Sequence, residues 1–531
     1  MTIEDPIVPT FESLSFSSNP QLLESRIKKL IEKFTINFKD EPEFISRSPG
    51  RVNLIGDHID YNFFPVLPMA IDVDVIGVGK SYPDSLEVQL INTDEAFTPQ
   101  TFVLPADGSV IEIDSENESF SWASYFKCGL IVAHKYILEN HAHLLDSGKK
   151  PLNGLKVAFD GTVPTGGGLS SSAAFCVAST LAILKANNVP QISKKDLTRI
   201  TVVCEHYVGV NTGGMDQCAS IYGEASKALL VKFKPNLIGV PFKFPSISDS
   251  EELAFLITNS LQKSNKHETA PIHYNLRVVE MGIGADLLAH KFGLTLPKDS
   301  NIKSGSLRGF LDSYYTDVLH EKPWDGNDVD VGVARLEQVL KLIEKPEIFT
   351  AEEKVGFSVD HASQVLGITS QQFTETYLTK VPVRFEVLKL YQRVKHVYAE
   401  SLKVLQSLRE LEKANANNEG EKFLTAFGKI MNESQTSLDE LNNSSNEKLN
   451  EICAIALANG SYGSRITGAG WGGSIVHLTT TKKLPGLIEA LTEKYYKAEF
   501  PGITEEELKE AIVDSKPATG SCYIKIDGKW L

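Results

Sequence analysis

Three short stretches hold residue types that can do chemistry together. In Val163-Pro-Thr-Gly-Gly-Gly-Leu-Ser-Ser-Ser-Ala-Ala174, the glycines Gly166, Gly167 and Gly168 stand just before Ser170, Ser171 and Ser172. Glycines let a backbone turn sharply and approach a ligand with no Cβ in the way. Hydroxyls beside them can donate to phosphate oxygens or ligate a metal ion. A helix starting at the serines would add free N–H groups and the positive end of its dipole, completing an anion site. A plain Gly/Ser turn is the competing reading, and the setting between a strand pattern and a helix pattern favours phosphate. The second stretch, Ser48-Pro-Gly-Arg-Val-Asn-Leu-Ile-Gly-Asp-His-Ile-Asp-Tyr61, packs Arg51, Asp57, His58, Asp60 and Tyr61 close together. Such groups can hydrogen-bond several hydroxyls at once, as a polyol or sugar requires. A solvated turn is the alternative, but Val52, Leu54 and Ile55 point to a buried segment that aims its polar groups. The third, Asn211-Thr-Gly-Gly-Met-Asp-Gln217, is a two-glycine turn presenting Asp216. Turn chemistry, a catalytic base and a metal ligand are equally open for that carboxylate. Ser264-Asn-Lys-His-Glu-Thr-Ala-Pro-Ile-His-Tyr274 is either a set of ligand contacts or a polar loop.

The elements that must position these residues follow from periodicity. Leu155, Val157 and Phe159 alternate with polar or small residues, so a strand leads into the glycine loop. Leu169, Ala173, Val177, Thr180, Leu181 and Leu184 give the helix that follows. Residues 1–20 read as irregular, and an amphipathic helix comes next with Leu22, Ile27, Leu30, Ile31 and Phe34 on its apolar face. Ile71-Asp-Val-Asp-Val-Ile76 reads as a strand with Asp72 and Asp74 on a solvated face. A helix is expected over 120–140, and Ile200 to Val210 is an apolar segment enclosing Glu205 and His206. Residues 245–250 read as a domain connector, and 295–350 as helical pieces joined by loops. A long helix is expected over 384–412, its stripe formed by Val387, Tyr391, Val394, Tyr398, Leu402, Leu405 and Leu408. The Asn/Glu/Ser-rich runs 413–421 and 441–448 read as loops. Gly468 to Gly473 formally match G-x-G-x-x-G, but the strand-like Ser474-Ile-Val-His-Leu478 follows. The dinucleotide fingerprint opens a helix, so a Rossmann-type oxidoreductase is a distant reading. This loop instead suits close backbone support of the phosphate loop or substrate.

The whole chain narrows the classes further. Its 531 residues suffice for two or three domains, and 42% hydrophobic with 23% charged content is ordinary for a globular protein. A net charge of −15 argues against a broad nucleic-acid or anionic-membrane surface. Six dispersed cysteines without a C-x-x-C pair point to reduced thiols and a cytoplasmic protein, not a zinc site. No signal peptide is evident, and no run approaches the roughly 18 apolar residues of a membrane helix. The common P-loop is absent: Gly79-Lys80-Ser81 has Asp74 where its first glycine belongs. His-Arg-Asp and Asp-Phe-Gly, the landmarks of protein kinases, are absent too.

Taken in order, Gly50 to Tyr61, Pro164 to Ala174 and Gly468 to Gly473 resemble the three motifs of the GHMP small-molecule kinases. The first is similar to the signature of the galactokinase branch, with Asp57 where that signature often has Glu. The resemblance spans most of the chain, and 295–420 is similar to the longer fungal forms. It implies a two-lobed α/β (α+β) fold, with a ribosomal S5 domain 2-like lobe over 1–245 and a ferredoxin-like lobe with extra helices over 246–531. It implies ATP-dependent phosphorylation of galactose at its C1 hydroxyl. By the same resemblance Asp216 is the base and Arg51 its cationic partner, which favours the ionised carboxylate. Arg51, Asp57, His58, Asp60, Gly214, Asp216 and Tyr274 are then the sugar positions. Gly166, Gly167, Gly168, Ser170, Ser171 and Ser172 are the nucleotide-phosphate positions, with Ser264, Asn265 and Lys266 also reaching the nucleotide. Ser172 and Glu205 would hold Mg²⁺, a hard cation suited to oxygen ligands. A monomer binding galactose and ATP is expected. Two rivals are a galactose/ATP sensor, alone or bifunctional, that binds a transcriptional repressor, and a kinase for another sugar such as N-acetylgalactosamine. The uninterrupted Ser170-Ser-Ser-Ala-Ala174 favours catalysis, because one sensor type lacks a Ser-Ala pair there.

Overall fold

The computed structural model describes residues 5–113, 121–204, 207, 213–248, 250–262 and 269–526. Its architecture is mixed α/β, built on two principal sheets. The first sheet joins β1 (Thr10–Phe11), β2 (Phe44–Ile55), β3 (Leu67–Tyr82), β4 (Glu87–Asn92), β5 (Gln100–Val103), β6 (Gly154–Gly161) and β13 (Cys522–Ile524). Their order is β1-β13-β2-β3-β6-β4-β5. Strand alternation gives this sheet two apolar faces. Ile45, Ile76, Val78 and Ala158 pack against Ile27, Leu30, Ile31 and Phe34 of α1 (Pro20–Phe38). The opposite face, with Phe44, Val75, Val157 and Phe159, packs in the core that includes Val177 and Leu181 of α3 (Ser171–Ala186). Covered on both sides, β2 has every residue buried, Arg51 included. The expected α1 is present, but Leu22 sits on its exposed side; α2 (Trp122–Asn140) is the helix expected over 120–140, and α4 (Lys194–Val202) follows α3.

Asp74 corrects another expectation. It is not solvated: it is buried between Arg26 Nη1 at 2.7 Å and Arg47 Nε at 2.5 Å. A sheet covered on both faces can hold a carboxylate only if its charge is matched. Burial alone would raise the Asp74 pKa, but the two guanidiniums win and hold it below the usual carboxylate value.

The second sheet has order β10-β11-β9-β12, with β9 (Leu253–Asn259), β10 (Gly463–Thr467), β11 (Ser474–Thr480) and β12 (Ile512–Ser515). Leu256, Ile466 and Ile475 of this sheet pack on Leu449, Ile452, Leu487 and Tyr495. A two-stranded ribbon of β7 (Lys227–Lys232) and β8 (Ile238–Lys243) joins the first sheet through a bridge between Val66 and Val231. The chain then returns: β13 pairs antiparallel with β2 and parallel with β1. A single cut after residue 245 therefore does not separate the two sheets, since Cys522–Ile524 lies in the first.

Helical pieces at Leu307–Ser313 and Val329–Ile343 occupy the stretch where short helices were expected. The long helix runs Leu390–Asn417, so its start and end both differ from expectation. Val387 precedes it and is exposed, while Leu388 next to it forms a bridge with Phe357. The run 413–421 is not a loop. Ala414 is buried, Asn415 Nδ2 donates to the Lys243 carbonyl, and the next helix, Gly420–Glu440, follows after Asn418 and Glu419. Tertiary contacts override the polar composition there. The six cysteines are free and buried. Among the described residues no helix is long and apolar enough to cross a membrane.

Candidate active site

The glycine loop lies where strand, helix and second sheet converge. β6 ends at Gly161, and α3 starts at Ser171 with Ser170 as its left-handed cap, φ 60°. Gly166 and Gly168 have φ of +74° and +75°, a region that L side chains rarely adopt, and nothing lies within 4 Å of where a Gly166 Cβ would sit. The concave side of the loop is thus open to a ligand, with the α3 N–H groups behind it. On its other side stands the Gly468–Gly473 loop between β10 and β11. A Cβ on Gly468 would come within 2.9 Å of the Gly168 carbonyl oxygen, and Ser474 Oγ donates to the Gly167 carbonyl. The late glycine loop is therefore a close-fitting support for the first glycine loop.

β2 carries Arg51 to the same place. Its pairing with β3 shifts register between Pro49 and Arg51. At that irregularity the Arg51 N–H donates to the Leu169 carbonyl at 3.1 Å. Gly50 permits this approach, since a Cβ there would meet the same carbonyl at 2.8 Å. Arg51 Nη1 donates to the Gly168 carbonyl at 2.6 Å and Nε to Asp216 Oδ1 at 2.8 Å. Asp216 is the second residue of α5 (Met215–Tyr222), whose cap Gly214 has φ +93°. Its other oxygen accepts from Ser170 Oγ at 2.6 Å. So Ser170, expected among the phosphate ligands, directs its hydroxyl hydrogen at the carboxylate. Asp216 keeps 18% of its side chain exposed while Arg51 keeps 6%. The result is a fixed, charge-paired carboxylate at the edge of the glycine loop, chemically able to accept a proton from a hydroxyl group brought there.

The residues after β2 form the neighbouring wall. Asp57 Oδ2 accepts from Arg465 Nη2 at 2.6 Å, and Oδ1 accepts from the Gly468 N–H at 3.0 Å. Burial raises the Asp57 pKa, against the pull of Arg465. His58, at φ 63°, has Nε2 at 2.8 Å from the Ala469 carbonyl and Nδ1 at 3.0 Å from the Tyr61 hydroxyl. A carbonyl only accepts, so Nε2 bears the proton and Nδ1 accepts from Tyr61. Burial pushes the His58 pKa down to about 3, which keeps the ring neutral. Asp60 lies against the Gly213 backbone: a Cβ on Gly213 would fall 2.5 Å from Asp60 Oδ2. Burial, helped by the nearby Asp216 charge, pushes the Asp60 carboxyl up to about 7. Tyr274 opens the helix Tyr274–Lys291 and brings its ring 5.7 Å from both His58 and Tyr61. Trp471 closes the cluster, 5.4 Å from the His58 ring and stacked on His273.

The structure thus gathers Arg51, Asp57, His58, Asp60, Gly214, Asp216, Tyr274 and the loop 166–172. Glu205, Ser264, Asn265 and Lys266 lie outside the described residues. Sequence reasoning passed over Arg465, Gly213 and Trp471. A lone charged residue inside the otherwise uncharged Gly463–Thr467 strand was the available signal for Arg465, which is fully buried.

Comparison with known proteins agrees with this geometry. Residues 32–81 match the galactokinase galactose-binding signature, 130–224 the GHMP kinases N terminal domain, and 407–497 the GHMP kinases C terminal domain. The chain is 55% identical to a galactokinase of Schizosaccharomyces pombe over 98% of this chain and 99% of that one. It is 58% identical to a galactokinase of Candida albicans, covering 97% and 98% of the two chains, and 47% identical to one of Saccharomyces cerevisiae, covering 98% and 99%. The fold matches that of Lactococcus lactis galactokinase complexed with galactose, with TM-score 0.62, 21% identity, and 93% and 99% coverage. This chain belongs to the galactokinase family of GHMP kinases.

Proposed function

We propose that the chain phosphorylates galactose with ATP, giving galactose 1-phosphate and ADP. The observation that carries the reading is the Asp216 carboxylate, held between Arg51 and Ser170 beside the open face of the glycine loop. The triphosphate lies along Gly166 to Gly168 and the start of α3, where Ser171 and Ser172 stand in the first turn beside the helix's free N–H groups. By the family resemblance, Ser264, Asn265 and Lys266 would extend the contacts to the nucleotide. The sugar sits between Asp216, Gly214, Asp60, His58 and Tyr274, with its C1 hydroxyl at Asp216. As the C1 oxygen bonds to the γ-phosphorus, its proton passes to Asp216 and the bond to the β,γ-bridging oxygen breaks. Arg51 stabilises the charge that develops, and positioning supplies most of the rate.

Among the described residues no three His, Cys, Asp or Glu side chains cluster as a metal cage. Mg²⁺ is commonly held by one or two protein oxygens plus phosphate and water, so it would arrive on the nucleotide phosphates. Ser172 and Glu205 would hold it, and when bound it neutralises charge on the transferring phosphoryl group. The reaction takes place in the cytoplasm, on a monomer. The test is ADP release from purified protein with ATP and Mg²⁺, comparing galactose with glucose and N-acetylgalactosamine. Galactose-dependent ADP release supports the reading. Tight binding of galactose and ATP without turnover would overturn it.

A further inference from the structure

Asp57 stands in the sugar signature, yet its carboxylate is committed elsewhere. Both oxygens are taken by the second lobe, Oδ2 by Arg465 and Oδ1 by the Gly468 N–H. Arg465 is itself fixed from every side. Its Nε donates to Ser434 Oγ at 3.0 Å, its Nη1 to the Asn53 carbonyl at 3.0 Å, and its Nη2 also lies 3.4 Å from Glu400 Oε1. Glu400 in turn accepts from the Gly56 N–H at 2.9 Å, and His396 Nε2 lies 3.1 Å from the Asp57 carbonyl. Asp57 and Arg465 are 3% and 0% exposed, so water cannot substitute for either partner. Beyond Gly468 the contacts continue toward the reaction. Gly468 is pressed against the Gly168 carbonyl, that carbonyl accepts from Arg51 Nη1, and Arg51 Nε holds Asp216.

We propose that Asp57 is a positioning residue for phosphoryl transfer and not a sugar ligand: clamped between Arg465 and the Gly468 amide, it sets the late glycine loop against the phosphate loop and so fixes the carbonyl that aims Arg51. An aspartate suits this task. A glutamate would carry its carboxylate one methylene past the positions that Arg465 Nη2 and the Gly468 amide now occupy around Asp57. The inference rests on the galactose kinase reading for its kinetic part, while its nucleotide-binding part does not require turnover.

The experiment uses full-length wild-type, Asp57→Asn and Arg465→Lys proteins. Calorimetric titration with ADP and with galactose gives two dissociation constants for each. Loss of one buried charge-assisted contact should raise the ADP constant about tenfold. The galactose constant should stay within about twofold, since no sugar contact is removed. kcat/KM is then measured for galactose and for its 2-, 3-, 4- and 6-deoxy forms, and the loss caused by either substitution should be the same factor on every sugar. A loss that vanishes for one deoxy sugar would assign Asp57 to that hydroxyl and overturn the proposal. So would a galactose constant that rises as much as that for ADP. Arg465→Lys keeps the question open to refutation if Asp57→Asn does not fold. Failure of the wild type to turn over galactose would count against the kinase reading, while the ADP titration still decides the clamp.

Discussion

Replacing Asp216 by Asn tests the base with little disturbance to its surroundings. The carboxylate has two fixed neighbours, Arg51 Nε at 2.8 Å and Ser170 Oγ at 2.6 Å. Asn has the same shape. Arg51 can only donate, so the amide oxygen must face it, and the amide NH₂ must face Ser170. A serine hydroxyl can rotate to accept, so both contacts survive in neutral form. Asp216→Ala would instead leave the buried Arg51 charge without its carboxylate, which typically costs about 3–5 kcal/mol and would confuse lost chemistry with lost fold. What Asn removes is proton acceptance. General-base help is worth about 10²–10⁴-fold, or roughly 3–5 kcal/mol of barrier. Steady-state ADP release with saturating galactose and ATP should therefore fall by that factor. ADP binding by calorimetry and the thermal unfolding midpoint should stay close to wild type. A folded Asp216→Asn protein that turns over within about tenfold of wild type would refute the base assignment.

Three further outcomes follow from the geometry. The Asp60 carboxyl is raised from 3.8 to about 7, so the folded protein holds an extra proton between those values. The stability this gives is present at low pH and is lost as pH rises through the folded value. Wild type should therefore lose a few kcal/mol relative to Asp60→Asn between about pH 4 and 7, and no more above that; urea unfolding across pH checks this, and a pH-independent difference contradicts it. Gly213→Ala places a Cβ 2.5 Å from Asp60 Oδ2, so the carboxylate must move. At about 1–3 kcal/mol for such overpacking, galactose KM should rise about 5- to 160-fold with ATP KM little changed, and equal effects on both would contradict it. Phe34→Ala empties a fully buried position between α1 and the first sheet. Denaturant unfolding should show a loss of about 3–5 kcal/mol, with kcat per folded molecule unchanged.

Local signals carried much of the fold. Leu155, Val157 and Phe159 give β6, and Gly166 to Ser172 give the loop and the start of α3, because both are local patterns of alternation and glycine spacing. The burial of β2 was legible from Val52, Leu54 and Ile55. Pairings between distant residues were not. Asp74 reads as a surface carboxylate until Arg26 and Arg47 come to it from α1 and β2. Residues 413–421 read as a loop because Asn and Glu dominate, while the contact from Asn415 to the Lys243 carbonyl lies 172 positions away. Cys522–Ile524 gives no hint that it pairs with strands from the opposite end of the chain. In the site, the resemblance supplied the roles of Arg51 and Asp216, and the structure brings the two into contact. It did not supply Arg465, whose meaning depends on Asp57 arriving from another lobe.

The central claim is transfer to the anomeric oxygen, and the product itself decides it. Galactose labelled with ¹³C at C1 is incubated with ATP, Mg²⁺ and the full chain, and the product is read by ¹³C and ³¹P NMR. Phosphorus coupling is expected on the labelled anomeric carbon, with ADP formed in equal amount. Phosphate on another carbon, or ADP release without a phosphorylated sugar, would contradict it.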